Sequence, residues 1–207
     1  NTNGDAEMME AVAVIPARYG STRLEGKVLR DLCGKPLIQH VYERAKRAKT
    51  LDDLIVATDD DRVLQTVQGF GGKAVFTSKR HSTGTDRLAE VVNQMDVRIV
   101  LNIQGDEPLV NPLTIDDLVR VMQEDPKTVM ATVVKKSYSP DDFKNPHVVK
   151  AVIDLNKYAL YFSRSPIPSF LKLDVETKEN FFYKHTGLYA YTKDFLFTFK
   201  NLPPSSL

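Results

Sequence analysis

Residues 17–27 combine three cations, Arg18, Arg23 and Lys27, with small and hydroxyl-bearing residues between them. Glycine lets backbone N–H groups approach phosphate oxygens, and arginine offers two parallel donors to a phosphate or carboxylate. The stretch directly follows an apolar run, residues 11–15, which predicts a buried strand. We therefore predict a loop that binds the phosphates of a nucleotide. The alternative interpretation is a basic loop that is only solvated.

The spacing within this stretch excludes two common phosphate loops. A Walker A loop has four residues between its first glycine and a Gly-Lys pair that is followed by Ser or Thr. Here five residues separate Gly20 from Gly26, and Val28 follows the lysine. The Rossmann fingerprint G-x-G-x-x-G is also absent. The loop must therefore bind phosphate in another way.

An acidic counterpart, Gln-Gly-Asp-Glu-Pro at 104–108, follows a second apolar run. A carboxylate at the end of a strand can hold Mg²⁺, with water and phosphate oxygens completing the octahedron. We predict that Asp106 is the metal ligand and that Glu107 orients the turn or binds a neighbouring loop. The alternative is an aspartate that only caps the following turn.

The remaining candidates have more ambiguous settings. The run Thr-Gly-Thr-Asp-Arg at 83–87 suits contact with a base or ribose and equally suits a helix cap. Asp59, at the end of a predicted strand, is more typical of a helix cap than of a catalytic group. Arg164 and the Lys184-His185 pair are candidates for binding a substrate carboxylate, although an arginine or histidine near strands is usually structural.

The elements that position these residues alternate between strand and helix in the first 125 residues. Apolar runs predict buried strands at 11–15, 54–58, 74–77 and 98–103, and helical periodicity follows each of them. Such alternation indicates βαβ crossovers and a mainly parallel sheet, whose strand ends form the usual ligand site. The sequence therefore predicts an α/β fold with a mainly parallel central sheet.

After residue 129 the pattern changes to strands with few helices between them. Predicted strands at 129–135, 148–153, 160–163 and 188–191 favour an antiparallel extension beside the sheet rather than a second domain. We predict a disordered lead-in at 1–10 and a single domain at 11–207.

Composition narrows the class of protein. The 207 residues are 42% hydrophobic and 27% charged, with a formal net charge of +1, which is typical of a soluble globular domain and argues against nucleic-acid or membrane partners. No apolar run approaches the ~20 residues needed to span a bilayer. The single cysteine, Cys33, excludes an internal disulfide, fits a reducing compartment and is predicted to be a buried apolar residue. We expect a cytoplasmic protein.

Eight segments, taken in order, resemble the 3-deoxy-manno-octulosonate cytidylyltransferase family, whose members are also called CMP-Kdo synthetases. The segments are Ile-Pro-Ala-Arg-Tyr-Gly-Ser-Thr-Arg-Leu at 15–24, Gly-Lys at 26–27, Gly-Lys-Pro at 34–36, Val-Ala-Thr-Asp at 56–59, Gly-Thr-Asp-Arg at 84–87, Asn-Ile-Gln-Gly-Asp-Glu-Pro at 102–108, Tyr-Ala-Leu-Tyr-Phe-Ser-Arg at 158–164 and Lys-His-Thr-Gly-Leu-Tyr at 184–189. Any one of these runs is a weak signal, whereas all of them in order are highly specific.

The resemblance implies a sheet of the nucleotide-diphospho-sugar transferase type and an Mg²⁺-dependent reaction. In that reaction the anomeric 2-hydroxyl of the sugar acid Kdo attacks the α-phosphorus of CTP and releases pyrophosphate, which yields CMP-Kdo for lipopolysaccharide biosynthesis. The resemblance also implies a homodimer, with the antiparallel extension contributing to its interface.

The resemblance distributes the site residues over four roles. The nucleotide is assigned to Ala17, Arg18, Ser21, Lys27, Thr85 and Gln104. The sugar acid is assigned to Arg23, Arg87, Arg164, His185 and Tyr189. Catalysis is assigned to Arg18, Lys27 and Asp106, of which Asp106 also binds Mg²⁺.

Two features depart from the family pattern. Glu25 stands where the family usually has proline, which places a carboxylate in the phosphate loop and leaves its backbone less restrained. The family's closing segment, with a second metal-binding aspartate, does not appear before Leu207, and we therefore expect that the sequence is partial.

Three rival functions remain open on the sequence. The first is activation of another sugar acid, such as sialic acid or an amino-substituted Kdo. The second is a binding module that holds CTP without turnover. The third is a metal-dependent glycosyltransferase, whose Asp-x-Asp motif the run Asp-Asp-Asp at 59–61 imitates, although 104–108 supplies a better metal site.

Overall fold

The computed structural model describes residues 8–20, 24–169 and 181–203. Two compact units make up the chain: residues up to 131 together with those from 188 form the first, and residues 132–187 form the second. The prediction of a single domain at 11–207 stays a prediction. Part of the predicted lead-in is wrong, because Met9 and Glu10 belong to the first strand, where the Met9 N–H donates to Asp96 O at 2.9 Å.

The first unit is built on parallel strands with helices between them. Its elements in the first 125 residues are β1 Met9–Pro16, a 3-10 helix Lys27–Leu29, β2 Asp31–Leu32, β3 Lys35–Pro36, α1 Leu37–Ala45, β4 Asp53–Thr58, α2 Asp61–Gly69, β5 Ala74–Phe76, α3 Gly84–Val92, β6 Val97–Asn102 and α4 Pro112–Glu124. Strands β5, β4, β1 and β6 pair side by side in parallel, in that order. The predicted parallel sheet is confirmed.

The apolar runs form the centre of this sheet because both of its faces are covered. Residues 11–15 of β1 are fully buried, and helix α3 covers one face through Leu88 and Val92. A parallel strand covered on both faces requires a continuous apolar sequence rather than an alternating one. This requirement explains why the four strands were visible in the sequence.

A short hairpin between the 3-10 helix and α1 corrects the prediction for Cys33. Strands β2 and β3 are joined by a turn in which Cys33 (φ +55°) and Gly34 (φ +84°) both have positive φ. The thiol is exposed rather than buried, because a residue at the tip of a two-residue turn points away from the core.

The second half of the chain is mostly antiparallel, as predicted. Its elements are β7 Met130–Ser137, α5 Pro140–Lys144, β8 Lys150–Ile153, β9 Ala159–Ser163, β10 Phe182–Thr192 and α6 Lys193–Lys200. Within the second unit, β8 pairs with β9 and with the first part of β10. In the first unit, the last residues of β10 pair antiparallel with β6.

Three features of this half were not predicted. Strand β10 is longer than the expected 188–191, and helices α5 and α6 were missed. Ser139 caps α5, and Thr192 caps α6 through a bond from the Phe195 N–H. Helix α6 is rich in phenylalanine, so its composition favours a strand, but Leu196 is fully buried in the first unit's core. In the described residues, no helix is both long and apolar enough to cross a membrane.

Candidate active site

The predicted phosphate loop begins where β1 ends beside β4. Ala17 is fully buried, and its N–H donates to Ala57 O at 2.8 Å, which carries the parallel pairing one residue past the strand. Ser21 and Arg23 lie outside the described residues, so their predicted roles stay predictions. The described parts of the loop, 17–20 and 24–27, start and end at defined positions on the first unit.

Tyr19 and Gly26 fix the shape of the loop. Gly26 has φ +64°, its N–H donates to Tyr19 O at 2.8 Å, and a Cβ at this position would lie 3.0 Å from the Tyr19 ring. The Arg62 guanidinium lies 3.3 Å above the centroid of the same ring. Two bonds of 2.9 and 2.7 Å to the Asp60 carboxylate hold that guanidinium in place. The tyrosine is therefore held between a glycine and an anchored cation.

Lys27 and Asp106, predicted from separate motifs, form an ion pair. Lys27 Nζ lies 2.7 Å from Asp106 Oδ2, and the two side chains are 42% and 46% exposed. The end of the phosphate loop and the acidic segment after β6 therefore meet at one edge of the sheet. Because both groups face solvent, a phosphate or a cation can replace either partner without leaving a buried charge.

Gly105 allows this approach. A Cβ at Gly105 would lie 2.9 Å from Pro16 O, so any side chain here would push the acidic segment away from the end of β1. Gln104, predicted to contact the cytosine or ribose, is half-buried, and its carbonyl accepts from the Glu107 N–H at 3.2 Å. This short turn leaves Asp106 and Glu107 exposed, and the predicted part of Glu107 in orienting the turn or binding a neighbouring loop stays a prediction.

Arg18 reaches the segment that precedes α3. Its guanidinium donates to the carbonyl of His81, and the His81 ring pairs with Glu90 on α3. The Glu90 carboxylate also accepts from the Ser78 N–H at 3.0 Å. The segment before α3 thus contacts the predicted phosphate loop, because the His81 carbonyl holds Arg18 in place.

The run at 83–87 proves to be a helix cap. The Thr83 hydroxyl accepts from the Asp86 N–H at 3.1 Å, while the Asp86 carboxylate accepts from the Thr83 N–H at 3.0 Å. The Thr83 hydroxyl bond is the main reason why the pKa of Asp86 lies below its ordinary value. Of the two open interpretations, the geometry favours the cap. Thr85 forms a side-chain hydrogen bond with Tyr191, whose pKa burial raises to about 12, and its predicted nucleotide-binding role stays a prediction.

Arg87 requires a correction. Its side chain is fully buried, Nη2 lies 2.7 Å from Asp59 Oδ2, and Nη1 donates to the Thr77 hydroxyl. A side chain with no exposed surface cannot contact a sugar, so the structure does not support the predicted sugar-binding role. Asp59 is not a helix cap either, since Asp60 caps α2 through the Arg62 N–H. The pair instead ties α3 to the end of β4.

Of the other predicted sugar-binding residues, Arg164 and His185 belong to the second unit. The Arg164 guanidinium is exposed and donates to Pro146 O at 3.1 Å. The His185 Nε2 lies 2.9 Å from the Thr132 hydroxyl, and its ring makes an edge contact with Phe162 at 4.9 Å. Burial lowers the pKa of His185, which favours the neutral ring near pH 7.

Tyr189 lies in the first unit on β10, opposite Asn102 of β6. Its ring stacks on Tyr191 with the centroids 6.1 Å apart, and burial raises the pKa of its phenol. Tyr189 is therefore a neutral hydrogen-bonding group beside the strand that leads to the acidic segment.

The described residues contain no group of three His, Cys, Asp or Glu side chains suited to hold a metal. Asp106 is a single exposed carboxylate at a strand end. Mg²⁺ fits such a donor because it keeps several waters and is commonly bound by one or two carboxylates plus substrate phosphates. The donor set therefore fits a metal that arrives with a triphosphate, rather than one held in a protein cage.

One fully buried charged group among the described residues was not identified from the sequence. Lys150 was not singled out, yet it and Arg87 are the largest fully buried side chains in that part of the chain. The one available signal was a lysine inside the predicted strand at 148–153. Alternation does not distinguish such a residue from one that faces solvent.

The sequence is similar to known cytidylyltransferases along most of its length. A family model described as cytidylyltransferase matches residues 12–207. The 3-deoxy-manno-octulosonate cytidylyltransferase of Geobacter sulfurreducens is 48% identical over 206 residues, covering 96% of this chain and 82% of the relative. The enzyme of the same name from Syntrophobacter fumaroxidans is 52% identical over 202 residues, covering 96% of this chain and 80% of the relative.

Solved structures extend the similarity to three dimensions. The structure of CMP:2-keto-3-deoxy-manno-octonic acid synthetase complexed with CTP is 46% identical, with a TM-score of 0.88, and the match covers 95% of this chain and 80% of that one. A cytidylyltransferase from Leptospira borgpetersenii is 16% identical, with a TM-score of 0.63 and coverage of 95% and 66%. This more distant structure supports the fold alone, and both agree with the α/β architecture described above.

Proposed function

Since the chain belongs to the 3-deoxy-manno-octulosonate cytidylyltransferase family of nucleotidyltransferases, we propose that it transfers CMP from CTP to the sugar acid Kdo and releases pyrophosphate. The product, CMP-Kdo, is the activated sugar for lipopolysaccharide biosynthesis. The observation that carries the proposal is the exposed Lys27–Asp106 pair, which joins a cationic loop and a carboxylate at the ends of parallel strands.

The cations of the loop bind the leaving group. Phosphoryl transfer depends on positioning the triphosphate and on neutralising the charge on its oxygens. Lys27 exchanges its contact with Asp106 for the β- and γ-phosphates, and Arg18 exchanges the His81 carbonyl for a phosphate oxygen. An exposed ion pair holds Lys27 at the end of the loop, and a single backbone carbonyl holds Arg18 near its start. The stacked Tyr19 keeps the loop backbone in position for these exchanges.

We propose Mg²⁺ as the cofactor, with Asp106 as its ligand from the described part of the chain. When bound, the metal supplies Lewis-acid polarisation of the phosphate oxygens. Asp106 is suited to this ligation because its carboxylate is exposed and needs to give up only one partner. If Asp106 bound a cation in place of Lys27, the lysine would also be available to the triphosphate.

We assign the sugar acid to Arg164 and His185 of the second unit, and the predicted sugar-binding role of Tyr189 stays a prediction. Arg164 is exposed and presents a planar fork that suits a carboxylate. Burial lowers the pKa of His185 and keeps its ring uncharged near pH 7, so it provides a hydrogen bond to a sugar hydroxyl without competing for the carboxylate.

We also propose a homodimer, which forms through β9 of the second unit. Among the described strands β9 pairs with β8 alone, and its Leu160, Tyr161 and Phe162 are exposed. An exposed apolar edge strand is prone to pairing with another chain unless a partner covers it. We place the reaction in the cytoplasm, in keeping with the single, exposed thiol of Cys33.

The test is pyrophosphate release by the full chain with CTP, Mg²⁺ and Kdo, run in parallel with sialic acid and with an amino-substituted Kdo. We expect turnover with CTP that is fastest with Kdo and lost on chelation of the metal. Faster turnover with another sugar acid would overturn the substrate assignment. Binding of CTP in a calorimeter without pyrophosphate release under any of these conditions would favour a non-catalytic module.

Sedimentation velocity tests the dimer. Tyr161→Lys introduces a charge into the exposed edge of β9 and should convert a dimer into a monomer. The control is Lys157→Glu, which changes a charge in the exposed turn before β9 without touching the apolar strand. A wild-type protein that sediments as a monomer at micromolar concentration would contradict the proposed dimer.

A further inference from the structure

Lys150 of the second unit is a fully buried lysine on β8. Its ammonium donates to three backbone carbonyls: Asn145 O at 3.0 Å, Val148 O at 2.7 Å and Arg164 O at 2.5 Å. An ammonium group has three donors, so its hydrogen-bonding capacity is filled. In the part of the chain that the structure describes, Lys150 forms no ion pair with a carboxylate. Its charge is therefore solvated by carbonyl dipoles alone.

Burying the Lys150 ammonium costs free energy, and side-chain packing alone does not explain why a lysine occupies this position. A buried ammonium loses its hydration, and a well-packed apolar side chain is often at least as stabilising at such a position. Burial lowers the pKa of Lys150, and the nearby positive charge of Arg164 lowers it further. Two cations thus lie close together, one buried and one exposed. The charge of Lys150 therefore adds to the positive potential around the exposed Arg164 guanidinium.

The same three bonds connect the backbone around the predicted sugar-binding groups. Asn145 and Val148 lie between α5 and β8, whereas Arg164 follows β9 directly. The Arg164 guanidinium returns to this segment and donates to Pro146 O at 3.1 Å. The His185 N–H donates to Val149 O at 2.9 Å. Residues 145–149 therefore contact both Arg164 and His185.

We propose that Lys150 is a positioning residue for the sugar-acid subsite, which fixes the backbone of residues 145–149 and of Arg164 and adds a second positive charge near Arg164. The inference rests on the proposed function for the identity of the anion, a sugar carboxylate. The competing explanation is a purely structural crosslink, in which the ammonium stabilises the second unit and has no bearing on substrate selection.

Two substitutions separate the charge of Lys150 from its hydrogen bonds. Lys150→Met keeps an unbranched apolar side chain and removes both properties. Lys150→Gln removes the charge and keeps an amide donor. Lys144→Met, on the exposed last turn of α5, is the matched control for loss of a lysine charge in the same unit.

Hydrogen exchange measured by mass spectrometry on the full chain tests the positioning directly and requires no activity. We expect faster exchange in Lys150→Met at residues 145–149 and 163–165, with little change in the first unit. Both lysine-150 variants must retain a cooperative thermal transition, and Lys150→Gln is the fallback if Lys150→Met does not fold. Unchanged exchange in these two segments in a folded variant would overturn the proposal.

Steady-state kinetics distinguish positioning from a purely structural crosslink. We expect the KM for Kdo to rise about tenfold or more in Lys150→Met, the size typical of losing a charge-assisted contact, with a smaller rise in Lys150→Gln. The KM for CTP and the values for Lys144→Met should match wild type. Equal changes in both KM values, or a lower melting temperature with neither KM changed, would overturn the proposal.

The proposed function is tested separately by the wild-type protein. Wild-type turnover of CTP and Kdo is established first, and its absence counts against the proposed function. In that case the hydrogen-exchange result still decides whether Lys150 holds residues 145–149 and Arg164 together.

Discussion

Two ion pairs in the first unit have the same N–O distance but very different surroundings. The Lys27–Asp106 and Arg87–Asp59 pairs both measure 2.7 Å. Lys27 and Asp106 are 42% and 46% exposed, whereas Arg87 and Asp59 are 0% and 18% exposed. Each pair joins a carboxylate that follows a strand of the parallel sheet to a cation from a different segment of the chain. Distance alone therefore says little about what each pair does.

The difference lies in what happens when the pair is opened. An exposed pair gains little energy because water screens it, so a ligand charge can replace either member at low cost. A buried pair cannot open without leaving an unsolvated charge. Lys27 and Asp106 are therefore suited to bind substrate, while Arg87 and Asp59 are suited to hold α3 against β4. Lys27, Asp106 and Arg87 were all predicted as site residues, and burial separates Arg87 from the other two.

The largest effect is expected from opening the buried pair. Arg87→Met leaves Asp59 with its carboxylate unpaired and should reduce the free energy of unfolding by about 3–5 kcal/mol, the usual cost of breaking a buried pair. Urea denaturation followed by circular dichroism measures the change. The control is Arg120→Met, which opens the exposed Arg120–Asp117 pair on α4 and should cost less than about 1 kcal/mol. A similar, small change for both variants would contradict the comparison.

A change in the exposed pair should affect turnover strongly and the free energy of unfolding only slightly. Asp106→Asn should lower turnover by on the order of 10²–10³, because it weakens the proposed ligand of the Mg²⁺ that would neutralise charge on the reacting phosphates. The free energy of unfolding should change by less than about 1 kcal/mol, as for other exposed pairs. Pyrophosphate release and urea denaturation provide the two measurements, with Asp117→Asn as the exposed control. Near-normal turnover in Asp106→Asn would remove the basis for the proposed metal ligand.

The capping box at the start of α3 tests whether exposure alone indicates function. Thr83 is exposed, like Lys27, but its hydroxyl is committed to the Asp86 N–H. Thr83→Ala should cost about 1 kcal/mol in the free energy of unfolding, the typical value for a lost N-cap. The KM for CTP should stay within twofold or so of wild type, since the contact that is lost stabilises only the helix. A large rise in that KM would show that the hydroxyl contacts the nucleotide.

Acid titration should give the smallest effect. The pKa of Asp86 lies below its ordinary value of 3.8 in the folded chain, mainly because the Thr83 hydroxyl bonds to it. A carboxyl whose folded pKa is depressed stabilises the fold above its unfolded pKa and loses this contribution as the pH falls through the folded value. The stability difference between wild type and Asp86→Asn should therefore shrink below about pH 4. A difference that does not change with pH would contradict the assignment.

More of the first half of the chain than of the second could be predicted from the sequence. In the first half, buried parallel strands require continuous apolar runs and the helix caps use characteristic side chains, so the four strands of the parallel sheet, the helices between them and the strand-end loops were predicted. The short β2–β3 hairpin and the 3-10 helix before it were not. In the second half, α6 was missed because its phenylalanines imitate a strand. The antiparallel character was nevertheless correct, since strands without intervening helices cannot form parallel crossovers.

The sequence by itself determined the α/β class, the loop at 17–27 and the pairing of that loop with Asp106, because these depend on local chain pattern and on the rule that parallel strands end at one edge. Tertiary structure alone decided the roles of Arg87, Cys33 and Lys150. Each of these residues is polar or small, and its role depends on burial and on partners distant in sequence, which no local pattern specifies. Arg87 is the clearest case: the motif placed it in the site, and its complete burial against Asp59 makes it a structural residue.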